Sequence, residues 1–219
     1  MRRGLRLAGT GVVLLSFQVV VPSRPEAQPS SWRCPVEEAV LLLKDGARQQ
    51  PTVEWLLRLL PAAFGLSEEI PFGLRGDSLV VRLKLYGLIP KDTDVDLQRL
   101  LTHGEASFVL VGALMPSRGS LLERLWMWLA DSREASCRIA TREGLVPKGQ
   151  REDRLTTKQL AAVMVAVTHR SRSRAPTGAA IPCIDVFASR MLEEVVTAKE
   201  VGEILGPAGP RPPGAASGL

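Results

Sequence analysis

Residues 144–148 read Gly-Leu-Val-Pro-Lys, and residues 154–160 read Arg-Leu-Thr-Thr-Lys-Gln-Leu. The same order occurs earlier in the chain, where residues 87–91 read Gly-Leu-Ile-Pro-Lys and residues 100–106 read Leu-Leu-Thr-His-Gly-Glu-Ala. Glycine just beyond a helix end tolerates a left-handed backbone, and a proline soon after it prevents the helix from resuming. Each copy therefore predicts a helix that ends at a glycine turn, followed by a polar linker and a second helix.

The second helix of each copy begins with a capping signal. Thr102 with Glu105, and Thr156 with Gln159, have the Thr-x-x-Glu/Gln spacing of a capping box. In that motif the threonine oxygen accepts a hydrogen bond from an early helical amide, and the acid or amide side chain bonds back to the cap residue. These two positions are therefore predicted to start helices.

The helices that follow these caps are apolar on nearly all sides, at residues 108–114 and 160–167. Both runs are shorter than the roughly 20 apolar residues that a bilayer span requires, so they are predicted to be buried centres of helical units. No strong alternating pattern occurs, and the fold class is therefore predicted to be all-α. Two helix-loop-helix repeat units are expected to pack with flanking amphipathic helices, which are predicted at residues 35–44, 51–60, 120–130 and 184–205, the last as one helix or as two broken near Thr197.

The ordered repeat resembles the S-layer homology repeat, a helix-loop-helix module of bacterial envelope proteins. The resemblance covers residues 76–115 and 133–169, and residues 196–201 give a third, poorer match. The family's basic residue after the threonine is replaced by His103, Thr157 and Ala198. The resemblance implies a helical fold and binding to a cell-wall polymer, and it rests on these positions: Gly87, Leu88, Ile89, Leu101, Thr102, Glu105 and Ala106, then Gly144, Leu145, Val146, Leu155, Thr156, Gln159 and Ala161.

The N-terminus has the pattern of a secretory signal. Arg2, Arg3 and Arg6 precede an apolar stretch at residues 7–21, which is short for a membrane span. A cleaved signal is expected, with an uncleaved membrane anchor as the alternative, and the protein is expected to be secreted or periplasmic. The predicted organisation is a signal peptide at 1–27, a linker at 28–34, a helical domain at 35–205 and a disordered Gly/Pro-rich tail at 206–219.

The net charge of the chain is small once the predicted signal segment is set aside. The whole chain has a formal charge of +5, but residues 1–27 hold four arginines and one glutamate, so the remainder is near +2. That balance gives no strong case for nucleic acid or anionic lipid as a partner.

The three cysteines are Cys34, Cys137 and Cys183. In an oxidising compartment, Cys137 and Cys183 are a possible disulfide, and buried free thiols are an equally supported alternative.

The candidate site residues are basic or metal-ligating in type. The two histidines are His103, in the first turn of a helix, and His169, in the last turn of another; helix-end positions of this kind are favoured over catalytic ones. Residues 92–96 alternate aspartates like a calcium loop, but the expected glycine and glutamate are absent, so no metal site and no cofactor are predicted. The weak candidates for ligand binding are the basic run in a predicted loop and two further lysines: His169, Arg170, Arg172, Arg174, Lys158 and Lys199.

Taken together, these features predict a non-enzymatic envelope protein that binds a cell-wall polymer or another envelope protein. No hydrolase, phosphate-loop or zinc-protease signature is present in the sequence. The alternative is a helix-turn-helix nucleic-acid-binding module, because residues 155–161 and 196–201 resemble the first helix of that motif. It requires residence in the cytoplasm and an exposed recognition helix, so nucleic acid is not the expected partner.

Overall fold

Within residues 36–114, 132–172 and 180–206, which the computed structural model describes, the chain forms eight α-helices and no strands. All of these residues belong to one unit, Arg33–Leu219. The prediction of an all-α fold is confirmed. The helices are α1 (Val36–Asp45), α2 (Val53–Phe64), α3 (Gly76–Leu85), α4 (His103–Leu114), α5 (Ser132–Arg142), α6 (Thr157–Arg172), α7 (Ala180–Glu194) and α8 (Ala198–Leu205), with a 3₁₀ turn at Gly46–Arg48.

Three helices, α2, α4 and α6, form the centre of the fold and contact one another. Each central helix packs against the outer helix that follows it in the chain: α3 packs on α2, α5 on α4 and α7 on α6. The terminal helices also join this arrangement, since α1 contacts α7 and α8 contacts α6. Every residue of α6 from 160 to 168 is buried, as its all-apolar sequence predicts.

Both predicted glycine turns have the expected backbone. Gly87 and Gly144 have φ values of 69° and 65°, in the left-handed region that glycine enters without steric penalty. In each turn the next amide donates to the carbonyl five residues earlier, at 2.9 Å for Leu88 and 2.8 Å for Leu145. This is the Schellman arrangement, which satisfies the last carbonyls of a helix. Gly65 ends α2 in the same way.

The capping boxes formed to different degrees. Thr156 Oγ1 accepts from the Gln159 amide at 3.2 Å, and Gln159 Oε1 accepts from the Thr156 amide at 2.8 Å, so the box before α6 is complete. Before α4, Thr102 Oγ1 accepts from the Glu105 amide at 3.2 Å, but the Glu105 carboxylate lies against arginine side chains. Thr197 starts α8 with a complete box and breaks the last predicted helix into α7 and α8.

Replacing Thr156 with alanine is expected to lower the free energy of unfolding by about 1 kcal/mol, because the early amides of α6 lose their side-chain acceptor. Urea unfolding of both proteins measures the change. Thr52 precedes α2 at the same position but makes no capping hydrogen bond with its side chain to any described residue. Thr52→Ala is therefore the matched control, and an equal loss in both variants would contradict the capping role.

The chain segments that precede the three central helices pair with one another. The Leu101 amide donates to the Pro51 carbonyl at 2.8 Å, and the Leu155 amide donates to the Leu101 carbonyl at 2.9 Å. Thr157 Oγ1 donates to the Gly46 carbonyl at 3.2 Å, which joins the third segment to the first. The N-terminal ends of α2, α4 and α6 are therefore held together at one end of the fold.

The structure corrects the prediction of a loop at Arg170 and Arg172, which lie in the last turn of α6. The prediction that His169 lies in the last turn of a helix is confirmed. Cationic side chains are favoured at a helix C-terminus, where the backbone carbonyls are unpaired. The predicted helix at 120–130, the signal peptide, the linker and all but the first residue of the 206–219 tail lie outside the described residues. No helix among the described residues is long and apolar enough to cross a bilayer.

The predicted pairing of Cys137 with Cys183 is wrong. Cys137 is a buried free thiol, whereas Cys183 is disulfide-bonded. The two residues lie on helices with different neighbours, because α5 packs on α4 while α7 packs on α6, α2 and α1. The third cysteine of the chain, Cys34, lies outside the described residues.

Candidate functional site

A groove of about 500 Å³ opens where the start of α4 meets the linker before α6. Its wall is strongly basic, with four arginines against two glutamates. We refer to it as the arginine groove, and its lining residues are Arg99, Leu100, Thr102, Gly104, Glu105, Arg133, Arg151, Glu152 and Arg154.

Backbone hydrogen bonds fix the two sides of the arginine groove. The Gly104 amide donates to the Arg151 carbonyl at 2.9 Å, and the His103 amide donates to the Asp153 carbonyl at 2.9 Å. Gly104 permits this approach, since a Cβ there would lie 3.1 Å from the Arg151 carbonyl oxygen. The positions of the groove side chains thus depend on tight contact between a helix start and a distant linker.

Two of the arginines share one buried carboxylate. Glu105 is 8% exposed, and its Oε1 lies 3.0 Å from Arg99 Nη1 and 3.5 Å from Arg133 Nη2. The side chains of these two arginines are about half exposed. One negative charge therefore orients two positive charges while leaving both accessible to solvent.

The other two arginines come from the linker before α6. Arg151 pairs with Glu152, and Arg154 Nη1 donates to the neutral Gln50 Oε1 at 2.8 Å. Both arginines are exposed. A guanidinium group is always charged and presents a planar set of donors that match carboxylate, sulfate and phosphate oxygens. The arrangement is suited to binding an extended anion that contacts several arginines at once.

His103 lies beside the groove but does not line it. Its side chain is 2% exposed, and Nδ1 is buried with no hydrogen-bond partner among the described residues. Burial lowers the pKa of His103, while the nearby Asp153 carboxylate and a hydrogen bond to the Pro147 carbonyl oppose that shift. The ring is therefore a buried neutral group and not a surface ligand.

The structure does not bring the sequence-predicted ligand residues together. Lys158 lies at the start of α6, while His169, Arg170 and Arg172 lie at its end. Because α6 has 16 residues, these two groups are roughly 20 Å apart along the helix. His169 is half-buried, and burial lowers its pKa. Arg174 lies outside the described residues.

Four of the predicted basic residues contact a carboxylate, which lies on another segment for three of them and on the same helix for Lys199. Four ion pairs account for them: Arg170 Nη1 with Glu143 Oε2 at 2.9 Å, Arg172 with Asp185 at 3.2 Å, Lys158 with Glu200 at 2.8 Å, and Lys199 with Glu203 at 3.7 Å. The Lys158 ammonium, followed by the Thr197 amide and hydroxyl, lowers the pKa of Glu200 to about 2. An anionic ligand at these positions would have to displace such partners.

The four groove arginines were not predicted, because their sequence positions are scattered. Arg99 lies in the linker of the first repeat, Arg151 and Arg154 lie in the linker of the second, and Arg133 lies at the start of α5. The sequence did contain one indication of the groove arginines, because basic residues precede the capping threonine in both copies of the repeated pattern. Only the pairing of the two linkers shows that they share one groove.

Comparisons of the chain with protein-family models, with curated proteins and with solved structures give no match. The function is therefore inferred from the geometry and charge of the arginine groove.

Proposed function

We propose that this protein is a non-enzymatic protein of the cell envelope, secreted or periplasmic, whose arginine groove binds an anionic cell-wall polymer. The observation that carries the proposal is the convergence of four exposed or half-exposed arginines on one groove. They come from three separate segments, and backbone hydrogen bonds join the two linker segments to each other. A polymer with a carboxylate, sulfate or phosphate on successive units can contact several of these arginines at once.

Two further features support residence in the envelope. The first 27 residues have the charge and apolar pattern of a secretory signal. Cys183 is disulfide-bonded, and structural disulfides form and persist mainly in oxidising compartments such as the periplasm and the cell exterior. No observation among the described residues favours the helix-turn-helix alternative, which stays a prediction conditional on a cytoplasmic location.

The direct test is retention of the purified protein on insoluble wall polysaccharide at low salt, followed by titration with polygalacturonate oligomers in solution. We expect binding to polygalacturonate and none to neutral dextran of the same length. Binding should weaken as salt rises, because the interaction is between solvent-accessible charges. No retention at low salt, or equal binding to dextran, would contradict the proposal.

Arg133→Ala is expected to lower the affinity for polygalacturonate about tenfold, since a hydrogen bond between charged groups contributes about 1.5–3 kcal/mol and part is screened at an exposed site. Isothermal titration calorimetry measures the change. Arg138 lies on the same helix, outside the groove, in an exposed pair with Glu134. Arg138→Ala removes the same net charge and is expected to bind like the wild type, so an equal loss in both variants would show a non-specific charge effect.

A further inference from the structure

The His103 ring is enclosed by the linker that carries two of the groove arginines. A Cβ added to Gly149 would lie 2.8 Å from His103 Nδ1 and 2.9 Å from Asp153 Oδ2. The ring nitrogen and the carboxylate oxygen therefore both lie next to the same glycine. This nitrogen is the one that is buried with no hydrogen-bond partner among the described residues.

Asp153 has a structural role in the turn formed by residues 150–153. Its Oδ2 accepts from the Gln150 amide at 2.7 Å, and its own amide donates to the Gln150 carbonyl at 3.1 Å. The same turn offers the Arg151 carbonyl to Gly104. A change in the partner of the Asp153 carboxylate would therefore alter the segment that places Arg151.

The charged groups around His103 identify Asp153 as its electrostatic partner. On α4 the neighbouring charge is Glu105, which is held by two groove arginines. On the linker the charges are Lys148, Arg151, Glu152 and Asp153, and Arg151 pairs with Glu152. Among these groups, Asp153 is the one whose charge acts on the His103 ring, and it favours the protonated form.

We propose that His103 is a proton-sensitive contact that controls the arginine groove. A protonated imidazole has a donor on both nitrogens, and a buried donor without an acceptor is unfavourable. Asp153 Oδ2 lies beside the same glycine as the ring nitrogen, so the protonated ring takes this carboxylate from the Gln150 amide. The turn at 150–153 then reorganises, the linker arginines lose their fixed spacing from Glu105, and the affinity for anions falls in mildly acidic solution.

The direction with pH follows from the free energies of the two protonation states. Burial makes the folded protein bind a proton at His103 less readily than the unfolded chain does. The stability that the neutral ring contributes is present above the pKa of histidine in the unfolded chain, near 6.5, and is lost as the pH falls below that pKa. The added positive charge on His103 lies beside Asp153. The Asp153 carboxylate therefore offsets the attraction of that charge for an anionic ligand in the groove. Acid is therefore expected to loosen the turn and weaken binding.

The structural part of the inference is tested on the free, full-length protein. Hydrogen exchange of the Gln150 and Gly104 amides is followed by NMR at pH 7.5 and at pH 5.0, corrected for the intrinsic effect of pH on exchange. We expect protection of both amides to fall severalfold at pH 5.0, because protonation of the ring favours the reorganised turn over the native one. His103→Gln, which cannot titrate, should show equal protection at both values of pH.

His169→Gln is the matched control, because His169 is the other histidine and burial also lowers its pKa. This variant should keep the wild-type pH dependence at Gln150 and Gly104. Unchanged protection of the wild-type amides at pH 5.0, or loss of the effect in His169→Gln, would overturn the inference. Should His103→Gln fail to fold, the His103 ring resonances of the wild type decide instead: they must titrate together with the Gln150 amide.

The binding part rests on the proposed function and has its own readout. Dextran sulfate is the probe, since its sulfates stay ionised across this range. Wild-type affinity should be severalfold lower at pH 5.0 than at pH 7.5, and the affinity of His103→Gln should not change. If the wild type binds no polyanion at any pH, the proposed function fails, while amide exchange still decides whether His103 controls the turn.

Discussion

Replacing Phe187 with alanine is expected to lower the free energy of unfolding by about 3–5 kcal/mol, because the truncation leaves a large cavity. Phe187 lies on α7, is 0% exposed and belongs to the apolar core. Its helix packs on α6, α2 and α1, so the cavity would open between the last outer helix and the centre of the fold. A loss of this size is a large part of the roughly 5–15 kcal/mol that stabilises a typical domain.

Urea unfolding followed by circular dichroism measures this effect, with the denaturant slope expected to stay constant. Val186 is the adjacent residue on the same helix and is 48% exposed. Val186→Ala should change the stability by less than about 1 kcal/mol, since an exposed side chain leaves no cavity. A loss in Phe187→Ala no larger than that in Val186→Ala would contradict the placement of α7 in the core.

Removing the disulfide of Cys183 is expected to lower the free energy of unfolding by about 2–5 kcal/mol, mainly because the unfolded chain regains conformational freedom. Cys183→Ser makes this change, and dithiothreitol should destabilise the wild type by a similar amount. Thermal unfolding with and without reductant measures both effects. The variant itself should no longer respond to the reductant.

Cys137 provides the matched control for this prediction. It is a buried free thiol, so Cys137→Ser should leave the response to dithiothreitol intact. In the wild type, alkylation should modify Cys137 only after unfolding, because the folded chain buries it. Rapid alkylation of Cys183 in the folded, unreduced protein would show that its disulfide does not form.

Local backbone structure was largely predictable from short sequence patterns. The glycine turns at Gly87 and Gly144 and the cap at Thr156 depend on neighbours within a few residues, and all of them formed. The apolar runs of α4 and α6 were likewise predicted to be buried. These features have a local physical cause, since steric freedom, capping and helix periodicity act over one or two helical turns.

Features that join distant segments were not predictable in this way. The pairing of Cys137 with Cys183 was one of two alternatives for an oxidising compartment, but the helices that carry them have different neighbours. The capping box at Thr102 is incomplete because Glu105 contacts Arg99 and Arg133, one of them on another helix. Competition between a local and a distant partner is decided by the tertiary fold.

The sequence by itself determined an all-α chain, because glycine turns, capping signals and helical periodicity each act within a single segment. The tertiary structure alone decided where the positive charge is presented. It places the predicted basic run in ion pairs at the end of α6, and it brings arginines of the two linkers and of α5 to one groove. A charge becomes a binding site through its partners and its accessibility, and both depend on contacts between segments that are distant in the sequence.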